Sequence, residues 1–204
     1  MTKNILVVGA GGIGSWLAAH LYQLNYHNQL QGVPITFCDD DTVDTPNLSY
    51  QNFSEDDFME KKIDSITDRY GFDSIDTRIV SIAEFQPYTC IVSCVDNAKF
   101  RNLLFNWAFE KSNADKHWID LRSEGNSVAA FCKHKSHTLK GMINTLGNFN
   151  KDADASEGGS CQRAQDLNAG IVQVGNRIIA SIGAQYILNY IRHIYSPAKF
   201  IQTF

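Results

Sequence analysis

Apolar residues fall along this chain in two patterns. Short unbroken runs, at residues 4–8, 35–38, 89–93, 117–121 and 127–132, have the length and β-branched content of strands. Residues 76–82 form a further strand candidate. Between the runs the apolar positions recur every three or four residues. Leu17, Leu21 and Leu24 place one face on a helix over residues 15–25, and similar spacing predicts helices over 57–70, 97–111 and 166–195. Ser54 with Asp57 three positions on is a start signal, Gly71 is a stop, and Gly175-Asn176 interrupts the last helical stretch. Strands alternating with helices, and apolar on both faces, imply an α/β fold: a doubly wound, mostly parallel sheet with helices on both sides. Residues 39–53 read as a loop rich in Asp, Thr, Pro, Asn and Ser. Residues 144–159 read as a flexible crossover loop before the C-terminal helices.

Composition narrows the picture. The 204 residues suit a single domain, 1–204, and 44% apolar content is enough for a core. A formal charge of -4 argues against a nucleic-acid partner. The only basic cluster, Lys133, Lys135 and Lys140 with His134 and His137, reads as a solvated face or as a polyanion or protein contact. No apolar stretch is long enough for a membrane span, and the opening run reads as a strand rather than a signal peptide, so a cytoplasmic location is expected. Five cysteines at irregular spacing give neither a disulfide framework nor a zinc motif. Cys90 and Cys94 read as buried thiols, and Cys132, His134 and His137 lack a fourth ligand at any usual spacing.

The first chemistry lies at residues 9–14, Gly-Ala-Gly-Gly-Ile-Gly, between a strand and a helix. Glycines there permit positive φ and close approach of a ligand, and free N–H groups at the helix start favour an anion. Asp39 ends the next strand, about thirty residues on, where an acid can accept hydrogen bonds from a ribose. A nucleotide follows from this; which nucleotide does not.

The residues after Asp39 supply a choice. Asp41-Thr42-Val43, Asn47-Leu48, Gln51, Phe53, Lys62, Ser93-Cys94-Val95-Asp96-Asn97 and Arg101 together resemble the E1-like adenylyltransferases, the superfamily that holds the ubiquitin-activating enzymes and the ThiF and MoeB proteins. The resemblance covers roughly residues 4–132 and returns at Ser160-Cys161. It implies ATP and Mg²⁺ as cofactors. The partner it implies is a ubiquitin-like or sulfur-carrier β-grasp protein whose C-terminal carboxylate is adenylated. Carried over by position, Gly9, Gly11, Gly12 and Gly14 surround the phosphates and Asp39 holds the ribose. Asp41 and Asn97 belong to the same nucleotide loops. Asn47, Gln51 and Lys62 contact the triphosphate and the reacting centre, and Asp96 positions the metal. Such residue types suit the reaction, because a carboxylate approaching an α-phosphate needs lysine, amide donors and Mg²⁺ to offset the repulsion. No general base is required.

Three departures accompany the resemblance. Tyr50 stands where the family pattern has an arginine, with Arg69, Arg101 and Arg122 as substitutes to consider, although Arg122, in Asp120-Leu121-Arg122 at a strand end, reads first as a solvent or core-edge ion pair. Paired CxxC motifs are missing. A chain of 204 residues is expected to carry no separate catalytic-cysteine domain. Cys161 has three readings: a covalent acceptor for the activated tail, a thiol left from ancestry, or a packed core cysteine. The apolar C-terminal helices suggest a homodimer. The expected function is therefore E1-like adenylation, with transfer to Cys161 as an optional second step. The alternatives are a non-catalytic E1-like scaffold and, as a third class, a small dehydrogenase.

Overall fold

The computed structural model describes residues 2–79, 81–124, 127–133 and 174–204. In chain order the elements are β1 (Ile5–Val8), α1 (Gly14–Tyr26), β2 (Ile35–Asp39), α2 (Lys62–Tyr70), β3 (Asp73–Asp76), β4 (Cys90–Ser93), α3 (Ala98–Phe109), β5 (His117–Glu124), β6 (Ser127–Cys132), α4 (Gly175–Ile191) and β7 (Lys199–Thr203). The seven strands form one sheet in the order β3-β2-β1-β4-β5-β6-β7. The first five are parallel, and β6 and β7 continue antiparallel. The α/β class and the mostly parallel sheet are as the sequence implies.

Strand alternation divides the core in two. Ile5 and Val7 face a cluster with Leu17, Phe37, Ile66, Ile119 and Ile187, under α1, α2 and α4. Leu6 and Val8 face the other cluster, with Phe85, Ile91, Leu104, Trp107 and Trp118, under α3. Both layers are dry, and each fully buried Leu or Ile contributes about 1.5–3 kcal/mol relative to exposure. The low charge of α4 is used within the chain, because most of its residues are buried against β5, β6 and α1.

Two elements differ from the sequence expectation. The third strand is Asp73–Asp76 rather than residues 76–82. It pairs with residues 36–39, and β2 ends at Asp39, so nothing remains for residues 77–82 to pair with. Instead the chain turns under the sheet. Thr77 O accepts the Cys38 thiol at 3.1 Å, Ile79 is buried, and a 3₁₀ turn follows at Ile82–Phe85. The second helix starts at Lys62, not at Asp57. Ser54 and Asp57 do form a capping box, but it closes a separate 3₁₀ turn, Glu55–Asp57. Met59 then takes φ 70°, which no helix accepts. Residues 59–62 are held by main-chain hydrogen bonds to Val43 and Asp41. The loop of residues 39–53 contains one more 3₁₀ turn, Thr45–Ser49, and β7 has no counterpart in the sequence reading.

The expected crossover loop 144–159, Cys161 and the first part of the 166–195 helical stretch lie outside the described residues. Within the described remainder α4 begins at the Gly175-Asn176 interruption and ends at Ile191, short of residue 195. Among the described residues no helix is long and apolar enough to cross a membrane.

Candidate active site

Strand order reverses beside β1: the chain moves outward to β2 and β3, then returns to β4 on the other side of β1. In open α/β sheets ligands bind at the carboxyl ends of the strands at such a point. Val8 and Ser93 end the two strands there, and the glycine turn leaves from Val8. Gly9 is the residue that makes the turn possible. Its φ is 97°, and a Cβ would lie 3.0 Å from the Cys94 carbonyl carbon and oxygen. Its N–H donates to Cys38 O, while Cys94 N–H donates to Val8 O. The turn is thereby stitched to both neighbouring strands.

Two cavities open at this edge. One, of 440 Å³, is partly apolar, with Val8, Ile79, Val95, Phe100 and Leu103 in its wall. The other, of 430 Å³, is polar and runs from Gly11 and Gly12 past Asn47, Tyr50 and Gln51 to Lys62. Gly9, Asp39, Asp41, Val95 and Asp96 line both, so the two are halves of one elongated cleft. The polar half holds Asp39, Asp41, Asp44 and Asp96 against Lys62. A bare polyanion is repelled by that excess of carboxylates.

The structure brings the sequence-predicted residues Gly9, Gly11, Gly12, Asp39, Asp41, Asn47, Gln51, Lys62 and Asp96 to the polar half. Asn97 lines only the apolar half, and its Oδ1 accepts the Phe100 N–H as the cap of α3. Gly14 is buried within the start of α1 and lines neither half. Asp39 Oδ2 accepts the Ala10 N–H at 2.5 Å and Oδ1 accepts the Asp41 N–H at 2.8 Å, so the glycine turn itself aims this carboxylate. Burial raises the Asp39 pKa, and the Ala10 N–H and the Lys62 charge pull against that rise. Lys62 is nearly buried, and its ammonium meets the exposed Asp41 carboxylate at 2.8 Å. Asn47 Oδ1 accepts the Asp44 N–H in a reciprocal capping box, which leaves its NH₂ end for a ligand. Gln51 Nε2 donates to the Tyr50 hydroxyl at 3.2 Å, whereas its buried Oε1 has no partner.

Tyr50, which the resemblance sets where the family pattern has an arginine, lines the polar half of the cleft, and its carbonyl accepts the Trp16 indole N–H at 3.2 Å. None of the three substitutes considered above lines either half of the cleft. Arg69 pairs with Asp57. Arg101 and Arg122 both pair with Asp120, which is fully buried. Sequence reasoning missed that network. Asp120 also accepts the Ser93 hydroxyl at 2.6 Å, Ser93 accepts the Trp118 N–H at 3.0 Å, and Arg101 donates to Val95 O. A charged cluster in the core therefore holds the turn that carries Asp96. The near-adjacent Asp120 and Arg122 were visible in sequence; that α3 would deliver Arg101 to them was not.

Asp96 is exposed on the rim of the cleft; packing around it raises its pKa while Arg101 lowers it. As for a metal, the donors here are hard carboxylate oxygens, which suit Mg²⁺. Among the described residues the carboxylates of Asp39, Asp40 and Asp41 are the one group of three close enough to share an ion. Asp96 lies across the same cleft.

A larger cavity, 740 Å³, lies at the opposite end of the sheet beside Lys3, His117, Cys132, Lys133 and Tyr190. It sits at the wrong end of the parallel strands for a nucleotide, and its lysines already donate to main-chain carbonyls. Lys133, read as part of a basic cluster that is either a solvated face or a contact surface, is instead nearly buried and donates to Asn113 O at 2.8 Å. Cys90 and Cys94 are buried, as expected. Burial pushes the Cys90 thiol well above its ordinary value, with Cys132 adding to the rise.

Comparisons with known proteins agree on the fold. PaaA superposes with a TM-score of 0.67 at 17% identity, covering 98% of this chain and 69% of that one. Escherichia coli MccB bound to AMPCPP and MccA gives 0.66 at 16% identity, covering 96% and 57%. The same enzyme with ATP gives 0.59 at 18% identity, again covering 96% and 57%. The chain thus spans about three fifths of the length of the MccB chains. No curated protein matches it by sequence. The family model described as the ThiF family matches residues 1–204, and the chain belongs to that family.

Proposed function

We propose that this protein uses ATP and Mg²⁺ to adenylate the C-terminal carboxylate of a small protein or peptide, as an E1-like activating enzyme. The observation that carries the reading is the two-part cleft: an apolar half sized for a base, joined at Asp39 to a polar half with Lys62 and the glycine turn. The MccB structures with ATP and with MccA, a fold relative holding a nucleotide and a small partner, support it. A ubiquitin-like or sulfur-carrier β-grasp protein is the preferred partner, and transfer of the activated tail to Cys161 is the preferred second step. A homodimer through the C-terminal helices is part of the same proposal.

In this reading a tail carboxylate oxygen attacks the α-phosphorus. The oxygen–phosphorus bond to the tail forms as the bond to the β-phosphate oxygen breaks, and pyrophosphate leaves. Gly11 and Gly12 let the backbone approach the phosphates, and Asp39 accepts from the ribose. Lys62, released from Asp41, meets the charge that develops at phosphorus. Asp96, with Asp41 at hand, would hold Mg²⁺, which would supply the positive charge to offset the repulsion between the polyphosphate and the carboxylates of the cleft.

Titration calorimetry is the first test. ATP·Mg²⁺ binds and NAD does not; tight NAD binding without ATP binding discards the reading. Given a partner, the protein catalyses ATP–pyrophosphate exchange, and Asp96→Ala loses it with the fold intact. Binding without exchange, for every partner tried, favours the non-catalytic scaffold, for which Tyr50 is the specific sign.

A further inference from the structure

The first turn of α4 places Asn176 against the glycine turn. Asn176 is 1% exposed, and among the described residues neither Oδ1 nor Nδ2 has a hydrogen-bond partner. The Nδ2 atom occupies the space a side chain on Gly12 would need: a Cβ there would lie 2.5 Å from it and 3.4 Å from the Tyr50 ring. A buried amide with every hydrogen bond unmade is costly, and native structures rarely keep one without a reason. On one side stands a packed helix; on the other is a glycine turn that lines the polar half of the cleft.

The helix side is fixed. Arg177 stacks over the Trp16 ring at 4.2 Å, Trp16 donates to Tyr50 O, and Ile179, Ala180 and Gly183 are buried behind Asn176. On the turn side, Gly11 and Gly12 carry no side chains of their own, and their peptide groups are among those that must meet phosphate. Gln51 Oε1, beside Gly11, is a second buried acceptor without a partner. The unpaired amide atoms of Asn176 and the unpaired Oε1 of Gln51 thus flank Gly12 and Gly11.

We propose that Asn176 is a positioning residue of the nucleotide site: its amide gains a hydrogen bond to the glycine turn when the turn's peptide groups re-aim onto phosphate. This rests on the nucleotide reading above and extends it. The ligand-free protein carries an unmade bond, the bound protein makes it, and the difference appears as affinity for ATP. Asn176 touches no reacting atom; it acts through Gly12.

Two variants test this. Asn176→Leu keeps the branching and the number of heavy atoms and removes both polar atoms; Asn176→Thr retains a hydroxyl. The readouts are the ligand-free melting temperature and the Kd for ATP·Mg²⁺ by calorimetry, well below that temperature. N176L is expected to melt no lower than wild type and to bind ATP·Mg²⁺ about tenfold more weakly, the scale of one hydrogen bond in a charged site. N176T falls between. N176L binding within twofold of wild type overturns the proposal, as does a loss of affinity that merely follows a fall in melting temperature across the three proteins. Wild type that does not bind ATP·Mg²⁺ overturns the nucleotide reading and this one with it; wild type that binds while N176L binds equally overturns this one alone.

Discussion

Alanine substitution at Gly11, Gly12 and Gly14 separates what the turn needs for folding from what it needs for its ligand. At Gly14 a Cβ would lie 1.9 Å from the Gly9 carbonyl oxygen, a main-chain atom with nowhere to go. Ordinarily Gly→Ala at a helical position gains about 1 kcal/mol. Here the methyl must open the first turn of α1 or move Gly9 off Cys94, an overpacking penalty at or above the usual range of about 1–3 kcal/mol. A net loss of about 3 kcal/mol lowers the melting temperature of a chain this long by roughly 6–12 °C. At Gly11 the nearest atoms to a Cβ are the Gln51 amide nitrogen and oxygen at 3.9 and 4.0 Å, an ordinary contact. G11A therefore melts within about 0.5 kcal/mol of wild type. Its methyl enters the polar half of the cleft, so binding of ATP·Mg²⁺ suffers. G12A is intermediate, because the Asn176 amide must give way. Thermal melts with and without ATP·Mg²⁺ read all three. G14A as stable as wild type, or G11A falling as far as G14A, would refute the steric argument.

Two further outcomes follow from the ion pairs. Asp120→Ala leaves Arg101 and Arg122 buried without their carboxylate and costs about 3–5 kcal/mol in urea unfolding; a loss under about 1 kcal/mol would show that the arginines find other partners. Asp57 is a pH probe. Burial alone raises its pKa, but the Ser54 N–H and hydroxyl and the Arg69 charge outweigh burial and hold it below the ordinary carboxylate value. A depressed carboxylate pKa stabilises the fold above the unfolded-state value and loses that contribution as pH falls through the folded one. The gap in urea midpoint between wild type and Asp57→Asn is thus full above the ordinary carboxylate pKa of about 3.9 and closes as pH falls below it; a gap independent of pH contradicts the pairing.

Local signals carried most of what was legible in the sequence. The glycine turn, Asp39 and the parallel sheet are written within single strand–turn–helix units, where spacing and residue type decide conformation. Gln51 and Lys62 were placed by resemblance, and the structure draws both to the cleft. The third strand was misplaced because residues 73–76, Asp-Ser-Ile-Asp, have almost no apolar content; they form an edge strand by pairing with β2, not by burying side chains. The helix start at Lys62 depended on two main-chain contacts to residues 41–43 across the loop. Asn176, Trp16 and Tyr50 meet only because α4 returns to α1 from the far end of the chain, and no window of sequence contains that encounter. Cys161 lies outside the described residues and keeps the standing of a proposal.

Gly183 gives the last consequence. A Cβ at this position would lie 2.4 Å from Leu121 Cδ1, so α4 rests on β5 with no methyl group between them. The helix is rigid over its two turns back to Asn176, and a displacement at its middle is passed to its start. A larger residue at 183 must either turn the Leu121 side chain to another rotamer or lift the helix from the sheet, and lifting draws Asn176 away from Gly12. The tolerance of the nucleotide turn is thereby set by a contact buried in the core. Variation at position 183 and at Leu121 is then constrained as a pair, and an enlarged side chain at one is accommodated by a smaller one at the other before activity is regained.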